Sequence, residues 1–213
     1  MMQKIQKFGG AMFTPVLLFA FAGITIGVGT LFTTEAIMGS LASPENMWFK
    51  CWNVVLQGGW TVFNQLPLLF VVGLPIGMAK KQNARCCMEA LVLYLTFHYF
   101  LNTILSQWGT FGVDFSAEIG GTSGLTMIAN IKTLDMGMIG ALVISGIVIY
   151  LHNRFFDTEL PDWLGTFSGS TFVFMVGFFV MIPVAFLAAL IWPKIQVAML
   201  VFQGFVKSSG AVG

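Results

Sequence analysis

Residues 67–85 read Pro67-Leu68-Leu69-Phe70-Val71-Val72-Gly73-Leu74-Pro75-Ile76-Gly77-Met78-Ala79-Lys80-Lys81-Gln82-Asn83-Ala84-Arg85. An apolar run ends abruptly in a turn that carries three cations. Upstream the run extends to Cys51, so 29 consecutive residues (51–79) hold no charge. A bilayer core of about 30 Å is crossed by roughly 20 apolar residues of α-helix. The stretch therefore reads as a membrane span, and the basic turn as its end.

The same reading extends in both directions. Residues 8–34, 90–113, 136–153 and 163–193 are also free of charge, in runs of 27, 24, 18 and 31. Five helices follow, near 13–33, 58–79, 87–106, 136–152 and 171–192. None of the runs alternates with period two, which argues against a transmembrane β-barrel. Helices and closed barrels are the structures that satisfy backbone polar groups in lipid. The expected fold class is thus all-α, a polytopic membrane protein of about five transmembrane helices with amphipathic interfacial segments.

Composition agrees. Of 213 residues 57% are hydrophobic and 9% charged, against roughly 25% charged in a soluble domain. A soluble domain of this size leaves roughly a third of its chain's surface in water, too much for so apolar a chain. A soluble enzyme, a nucleic-acid binder and a disordered tail are excluded, and a net charge of +1 offers no footprint for nucleic acid.

Orientation follows from Lys and Arg near the span ends. With the N-terminus inside, Lys4, Lys7, Lys80, Lys81, Arg85 and Arg154 are cytoplasmic, and Lys50, Lys132, Lys194 and Lys207 are outside. Trp48, Trp52, Trp60, Trp108 and Trp192 then fall on the outer side and Trp163 inside, with Trp favouring the headgroup boundary. Lys4 and Lys7 precede the first apolar run as in a signal peptide. That run exceeds the usual 7–15 residues, so it reads as a first transmembrane helix.

Between the spans, Trp48, Trp52 and Val55 in segment 34–57 recur at helical spacing. An amphipathic helix on the membrane and a loop with aromatic anchors both fit. Segment 107–135, with Gly120-Gly121-Thr122-Ser123-Gly124, is too polar to span. Pro161, Gly165 and Gly169 break any long helix in 153–170. Over 194–213, Ile195, Met199, Phe202 and Val206 can share one face, which suits an interfacial helix.

Few residues offer chemistry. His98 lies mid-span, where an ionisable group is a functional hypothesis. The blander reading is a neutral imidazole bonded to Thr96, Asn102 or a backbone carbonyl. His152, beside Arg154, reads as interfacial. No carboxylate is expected deep in a span, and Arg85 and Glu89, four apart at a helix start, read as a weak structural pair at the membrane edge. Cys51 is expected outside and Cys86-Cys87 inside, with no CxxC spacing, so all three read as structural thiols. Gly23-Ile-Thr-Ile-Gly27 and Gly73-Leu-Pro-Ile-Gly77 are GxxxG patterns that let helices approach closely. Pro67, Pro75 and Pro183 are expected to kink their helices. No catalytic residue, metal site or cofactor is expected, and no substrate-binding residue is assigned.

Four blocks carry a family resemblance. Ile5-Gln6-Lys7-Phe8-Gly9-Gly10-Ala11-Met12-Phe13-Thr14-Pro15-Val16-Leu17-Leu18-Phe19 resembles the opening of the membrane subunit (EIIC) of bacterial sugar phosphotransferase systems. Pro67 through Lys81 resembles that family's apolar "LLFAVG-x-x-IG-x-AK" pattern. Thr133-Leu134-Asp135-Met136-Gly137 through Gly146 is similar to a third block. Leu160-Pro161 with Gly165, Phe167, Ser168 and Gly169 is similar to a fourth, "LP-x-x-L-x-F-F-x-G", with Thr166 where Phe is common. The runs Gly112–Glu118 and Ser123–Ala129 look like the maltose and α-glucoside permeases of the glucose superfamily.

The resemblance implies an elevator-like sugar carrier, of which residues 1–213 match the N-terminal half. That half is the scaffold and dimer interface, and 194–213 resembles the linker that follows it. The sugar is bound in the other half by a His and a Glu, and a partner domain phosphorylates it from a phosphocysteine. Neither the family's His motif nor its "ITEP-x-E" motif has a counterpart here, so those roles do not pass to His98 or Glu89. Cys51, Cys86 and Cys87 do not match the phosphocysteine context. The implied partners are a sugar, the EIIB and EIIA components, the bilayer and a second copy of the chain, in a bacterial cytoplasmic membrane. Whether the chain takes part in the family's phosphoryl transfer stays open. Two rivals remain: a non-transporting membrane scaffold, and a permease subunit of an ATP-driven importer.

Overall fold

The computed structural model describes the backbone at residues 2–109, 111–121 and 123–210, and side chains at 6–206 apart from 14, 110 and 122. The chain is helical almost throughout. The elements are α1 (Met2–Thr33), α2 (Glu35–Met38), α3 (Met47–Asn64), α4 (Leu66–Met78), α5 (Asn83–Gln107), β1 (Leu125–Ile128), β2 (Ile131–Leu134), α6 (Gly137–Phe155) and α7 (Ser170–Gly210). Among the described residues four helices, α1, α5, α6 and α7, are long and apolar enough to cross a membrane, or five if the bent pair α3–α4 is counted as one span.

The kink expected at Pro67 in the second helix, placed over 58–79, is a full break, and the helix before it starts earlier. α3 begins at Met47, where Asn46 caps it by accepting from the Trp48 amide at 3.0 Å. It ends at Asn64, and α4 leaves at 58°. The break falls just before Pro67, which occupies the first turn of α4, where a missing amide costs nothing. Segment 34–57 is therefore part loop and part helix. α2 and a 3₁₀ turn at Gly39–Ala42 lead into α3, and Trp48 and Trp52 close on Phe32 at the end of α1.

In lipid no hydrophobic force drives helix against helix, so close approach of small residues matters. Gly73 and Gly77 show this. A Cβ on Gly73 would stand 2.7 Å from Pro15 Cγ, and one on Gly77 2.6 Å from Ala11 Cβ, so α4 lies directly on α1. The other GxxxG pattern is not used this way: nothing described lies within 4 Å of a Cβ on Gly23 or Gly27.

α5 is the central helix, packed against α4, α6 and α7. Leu93, Tyr94, Phe97 and Leu101 of α5 are fully buried. Phe70 and Val71 of α4, Ile144 and Val148 of α6, and Met181, Ala185 and Ala189 of α7 close around them. α1 and α7 expose much of their apolar surface, Phe21 and Phe179 among it, as lipid-facing helices do. α7 runs on to Gly210 without a break, so 194–210 is a continuation of that helix rather than a separate interfacial one. Its Ala, Met, Leu, Gln and Val give no stop signal. Residues 211–213 of the expected linker lie outside the described residues.

The unforeseen element is a β-hairpin in segment 107–135. Leu125 pairs with Leu134 and Ile128 with Ile131. Ala129 and Asn130 both have positive φ, as the two-residue type I′ turn demands. All four of these paired Leu and Ile side chains are buried, and the hairpin lies against α5. α7 holds its base: Trp192 Nε1 donates to the Asp135 carbonyl at 2.8 Å and Gln196 Nε2 to the Gly124 carbonyl at 2.8 Å.

Candidate functional site

Two buried histidines organise the polar interior. His98 meets Thr133 of the hairpin, Nδ1 to Oγ1, at 2.9 Å. Neither Thr96 nor Asn102 is its partner. Thr96 bonds its own helix at Val92, and Asn102 donates to the Lys132 carbonyl at 2.8 Å. His98 Nε2 and the hydroxyl of Tyr94, whose ring stands edge-on at 4.4 Å, are buried without a described partner. The signal for Thr133 could not come from α5, because it lies 35 residues away in an unforeseen hairpin.

The second cluster sits at the basic end of the bundle. The Lys80–Lys81–Gln82 turn brings the chain from α4 into α5, with Gln82 in a left-handed conformation at φ 47°. The end of α6 clamps this turn. Asn153 Oδ1 accepts from the Lys80 amide at 2.8 Å, and Asp157 pairs with Lys81 at 2.7 Å on the surface. Lys7, Lys80 and Arg154 line one groove here, together with Asn153. Three of the cations expected on one side of the membrane, Lys7, Lys80 and Arg154, thus border one groove, while the side chains of Lys4 and Lys207 lie outside the described residues.

Beneath the turn, His152 Nδ1 lies 2.7 Å from Glu89 Oε2, and both side chains are almost wholly buried. The other ring nitrogen, Nε2, donates to the Lys81 carbonyl at 2.8 Å. A carbonyl cannot donate, so Nε2 carries hydrogen. Nδ1 and a carboxylate oxygen at that separation then hold one proton between them. Cys86, fully buried, stands one turn before Glu89 on α5, and the ligand atoms of Cys86, Glu89 and His152 lie within 4.8 Å of one another.

This corrects two expectations. A carboxylate does enter the bundle, in the second turn of α5, and its partner is His152 rather than Arg85. The four-residue spacing put Arg85 beside Glu89 in sequence. In space Glu89 turns inward while the Arg85 guanidinium stands over Phe156, 5.9 Å from the ring centre. His152 is a buried tie between α5, α6 and the basic turn, not an interfacial side chain. The only sequence signal was Cys86-x-x-Glu89 on one helical face, and nothing local pointed to His152.

A cavity of about 520 Å³ opens beside the pair, lined by Arg85, Met88, Glu89, Val92, Ser168, Ser170, Thr171 and Phe174. Glu89 Oε1 and Ser170 Oγ are buried without a described partner. The lining is mostly apolar, through Met88, Val92 and Phe174, with Arg85 as its cation.

Fold and cluster together define an integral membrane protein of several apolar helices, with a polar knot under one basic end and without a soluble catalytic domain among the described residues. The chain belongs to the phosphotransferase system EIIC family, whose model matches residues 9–213. It is 59% identical to the maltose-specific EIICB component of Bacillus subtilis (strain 168), over the whole chain and 41% of that protein. It is 51% identical to the alpha-glucoside-specific EIICB component of Fusobacterium mortiferum, over the whole chain and 41% of that protein. The phosphotransferase IIC component GlvC of Escherichia coli (strain K12) is 50% identical, over the whole chain and 58% of that protein. The chain thus spans between two fifths and three fifths of these relatives, in their N-terminal part.

Proposed function

We propose that residues 1–213 are the scaffold of a sugar permease of the phosphoenolpyruvate-dependent phosphotransferase system, and that its sugar is maltose or another α-glucoside. The observation that carries this is 50–59% identity along the whole chain to relatives named for those sugars. In this reading the five helical units anchor the carrier in the bacterial cytoplasmic membrane, pair with a second copy, and form one wall of the sugar path. The N-terminus and the basic turn at 80–85 face the cytoplasm. EIIB and EIIA components deliver the phosphoryl group, and the sugar is phosphorylated as it is translocated.

The open Gly23–Gly27 face of α1 supports a role in pairing, since small residues with nothing against them accommodate a second helix closely. The reading expects no sugar phosphate from membranes that carry residues 1–213 alone with the general phosphotransferase proteins. Sugar phosphate formed by such membranes overturns it, because sugar binding and phosphorylation would then reside in this portion.

A further inference from the structure

We propose that Cys86, Glu89 and His152 form a binding site for one divalent cation of the zinc class. The site goes beyond the permease reading and does not depend on it.

The donor set is the first argument. One thiol, one carboxylate and one imidazole converge within 4.8 Å, and all three residues are buried. Sulfur, nitrogen and oxygen together suit a borderline cation such as Zn²⁺ better than Mg²⁺ or Ca²⁺, which prefer oxygen alone. Cys86 and Glu89 are three residues apart and share a face of α5, while His152 approaches from α6. The charges also close. A thiolate and a carboxylate neutralise a divalent cation, so the loaded site carries no net charge into the apolar interior.

The second argument is the ring orientation. Metal-bound histidine usually donates its other ring N–H to a backbone carbonyl or carboxylate, which fixes the tautomer. His152 does this through Nε2 to the Lys81 carbonyl at 2.8 Å. Its Nδ1 is thereby left to face Glu89 Oε2, 2.7 Å away. Glu89 Oε1 adds a third argument, as a buried carboxylate oxygen without a described partner on a residue that borders the cavity beside Arg85. The cavity supplies an entry path and room for a fourth ligand. Arg85 at its wall favours a neutral or anionic one.

The cation and the proton are alternative occupants. Nδ1 and Oε2 stand 2.7 Å apart, a hydrogen-bond separation. Ligands held at about 2.0–2.3 Å around a tetrahedral zinc lie more than about 3 Å from one another. Loading therefore moves the Glu89 carboxylate slightly and displaces the proton between Glu89 and His152. It also displaces the Cys86 thiol proton. The balance is one M²⁺ bound through Sγ, a carboxylate oxygen and Nδ1, and two protons released, with no change of oxidation state.

The test is a titration of the purified full chain in detergent with Co²⁺ alone, in a Cys51→Ser, Cys87→Ser background that leaves Cys86 as the single thiol. The expected result is saturation at one equivalent with a thiolate-to-cobalt charge-transfer band, reversed by Zn²⁺. Calorimetry in buffers of different ionisation enthalpy should report about two protons released per cation. Adding Cys86→Ser should remove the band and one of the protons. Glu89→Gln should weaken binding by more than the roughly 10–100-fold typical of losing an outer contact. Should a variant fail to fold, the His152 ring-nitrogen NMR signals of the parent decide the matter, since Zn²⁺ at one equivalent should shift Nδ1 and leave Nε2 protonated. Absence of the band, a band that survives Cys86→Ser, or His152 signals unchanged by Zn²⁺ overturns the proposal.

Discussion

Glu89 of α5 and His152 of α6 stand 2.7 Å apart with 4% and 1% of their side chains exposed. Two hydrogen-bonding groups rarely go so deep unless each satisfies the other. Through Lys81 the same imidazole also holds the basic turn, so one side chain joins α5, α6 and the α4–α5 connection.

Breaking this pair should be costly. His152→Ala and Glu89→Ala are each expected to destabilise the bundle by about 3 kcal/mol, because each strands a buried partner. Glu89→Gln should cost much less, since its amide can still donate to Nδ1. Unfolding in a denaturing detergent measures this, and the double alanine variant should cost less than the sum of the singles. Full additivity would show that the two side chains do not act on each other.

The two glycine pairs should behave oppositely. Gly73→Leu and Gly77→Leu push side chains into Pro15 and Ala11 and should cost about 1–3 kcal/mol each. Gly23→Leu and Gly27→Leu meet open space and should leave the stability of the single chain unchanged. In the permease reading those two substitutions weaken self-association instead, which crosslinking in membranes can follow.

The hairpin gives a third test. Thr133→Val keeps the shape but removes the hydroxyl opposite His98, and should cost about 1–3 kcal/mol. Thr133→Ser should recover most of it. Equal losses in the two variants would point to packing of the methyl group rather than the hydrogen bond.

Acid should act on the loop before the hairpin in one direction. The Ser116 hydroxyl and amide hold the Asp114 carboxyl below its ordinary 3.8. A carboxyl depressed in the folded state contributes stability above its unfolded value and loses it as pH falls through the folded one. NMR titration should therefore give Asp114 a midpoint below 3.8, with the Ser116 amide losing protection only below that. A midpoint at or above 3.8 contradicts the turn.

Orientation can be read with thiols placed where the structure leaves them accessible. Cys86 is buried and reports nothing about sidedness, whereas Cys51 and the side chain at Lys81 are exposed. An impermeant reagent on intact cells should label Cys51. It should spare K81C in a background lacking Cys51 and Cys87. The reverse pattern inverts the bundle.

Sequence reading reached the helices because their signal is local. Charge-free runs such as 51–79 exceed what a soluble helix needs, and Lys80-Lys81 marks an end whatever packs nearby. The hairpin escaped it because Leu125–Leu134 is short and its apolar positions suit a turn of helix as well as a strand. Ala129-Asn130 carried the turn signal weakly. The Glu89–His152 pair escaped because its members lie 63 residues apart, and Arg85 offered a nearer partner. Contacts between helices are set by which faces meet, and a periodic apolar sequence leaves that choice open.

If residues 1–213 are the scaffold of a phosphotransferase sugar carrier, they must be exchangeable with the same portion of a relative. The most direct measurement replaces the matching N-terminal portion of the Bacillus subtilis maltose-specific EIICB component with residues 1–213. The chimera goes into cells lacking that component, and phosphoenolpyruvate-dependent formation of maltose phosphate is followed. The chimera is expected to restore phosphorylation. A chimera that reaches the membrane intact yet forms no maltose phosphate would contradict the scaffold role.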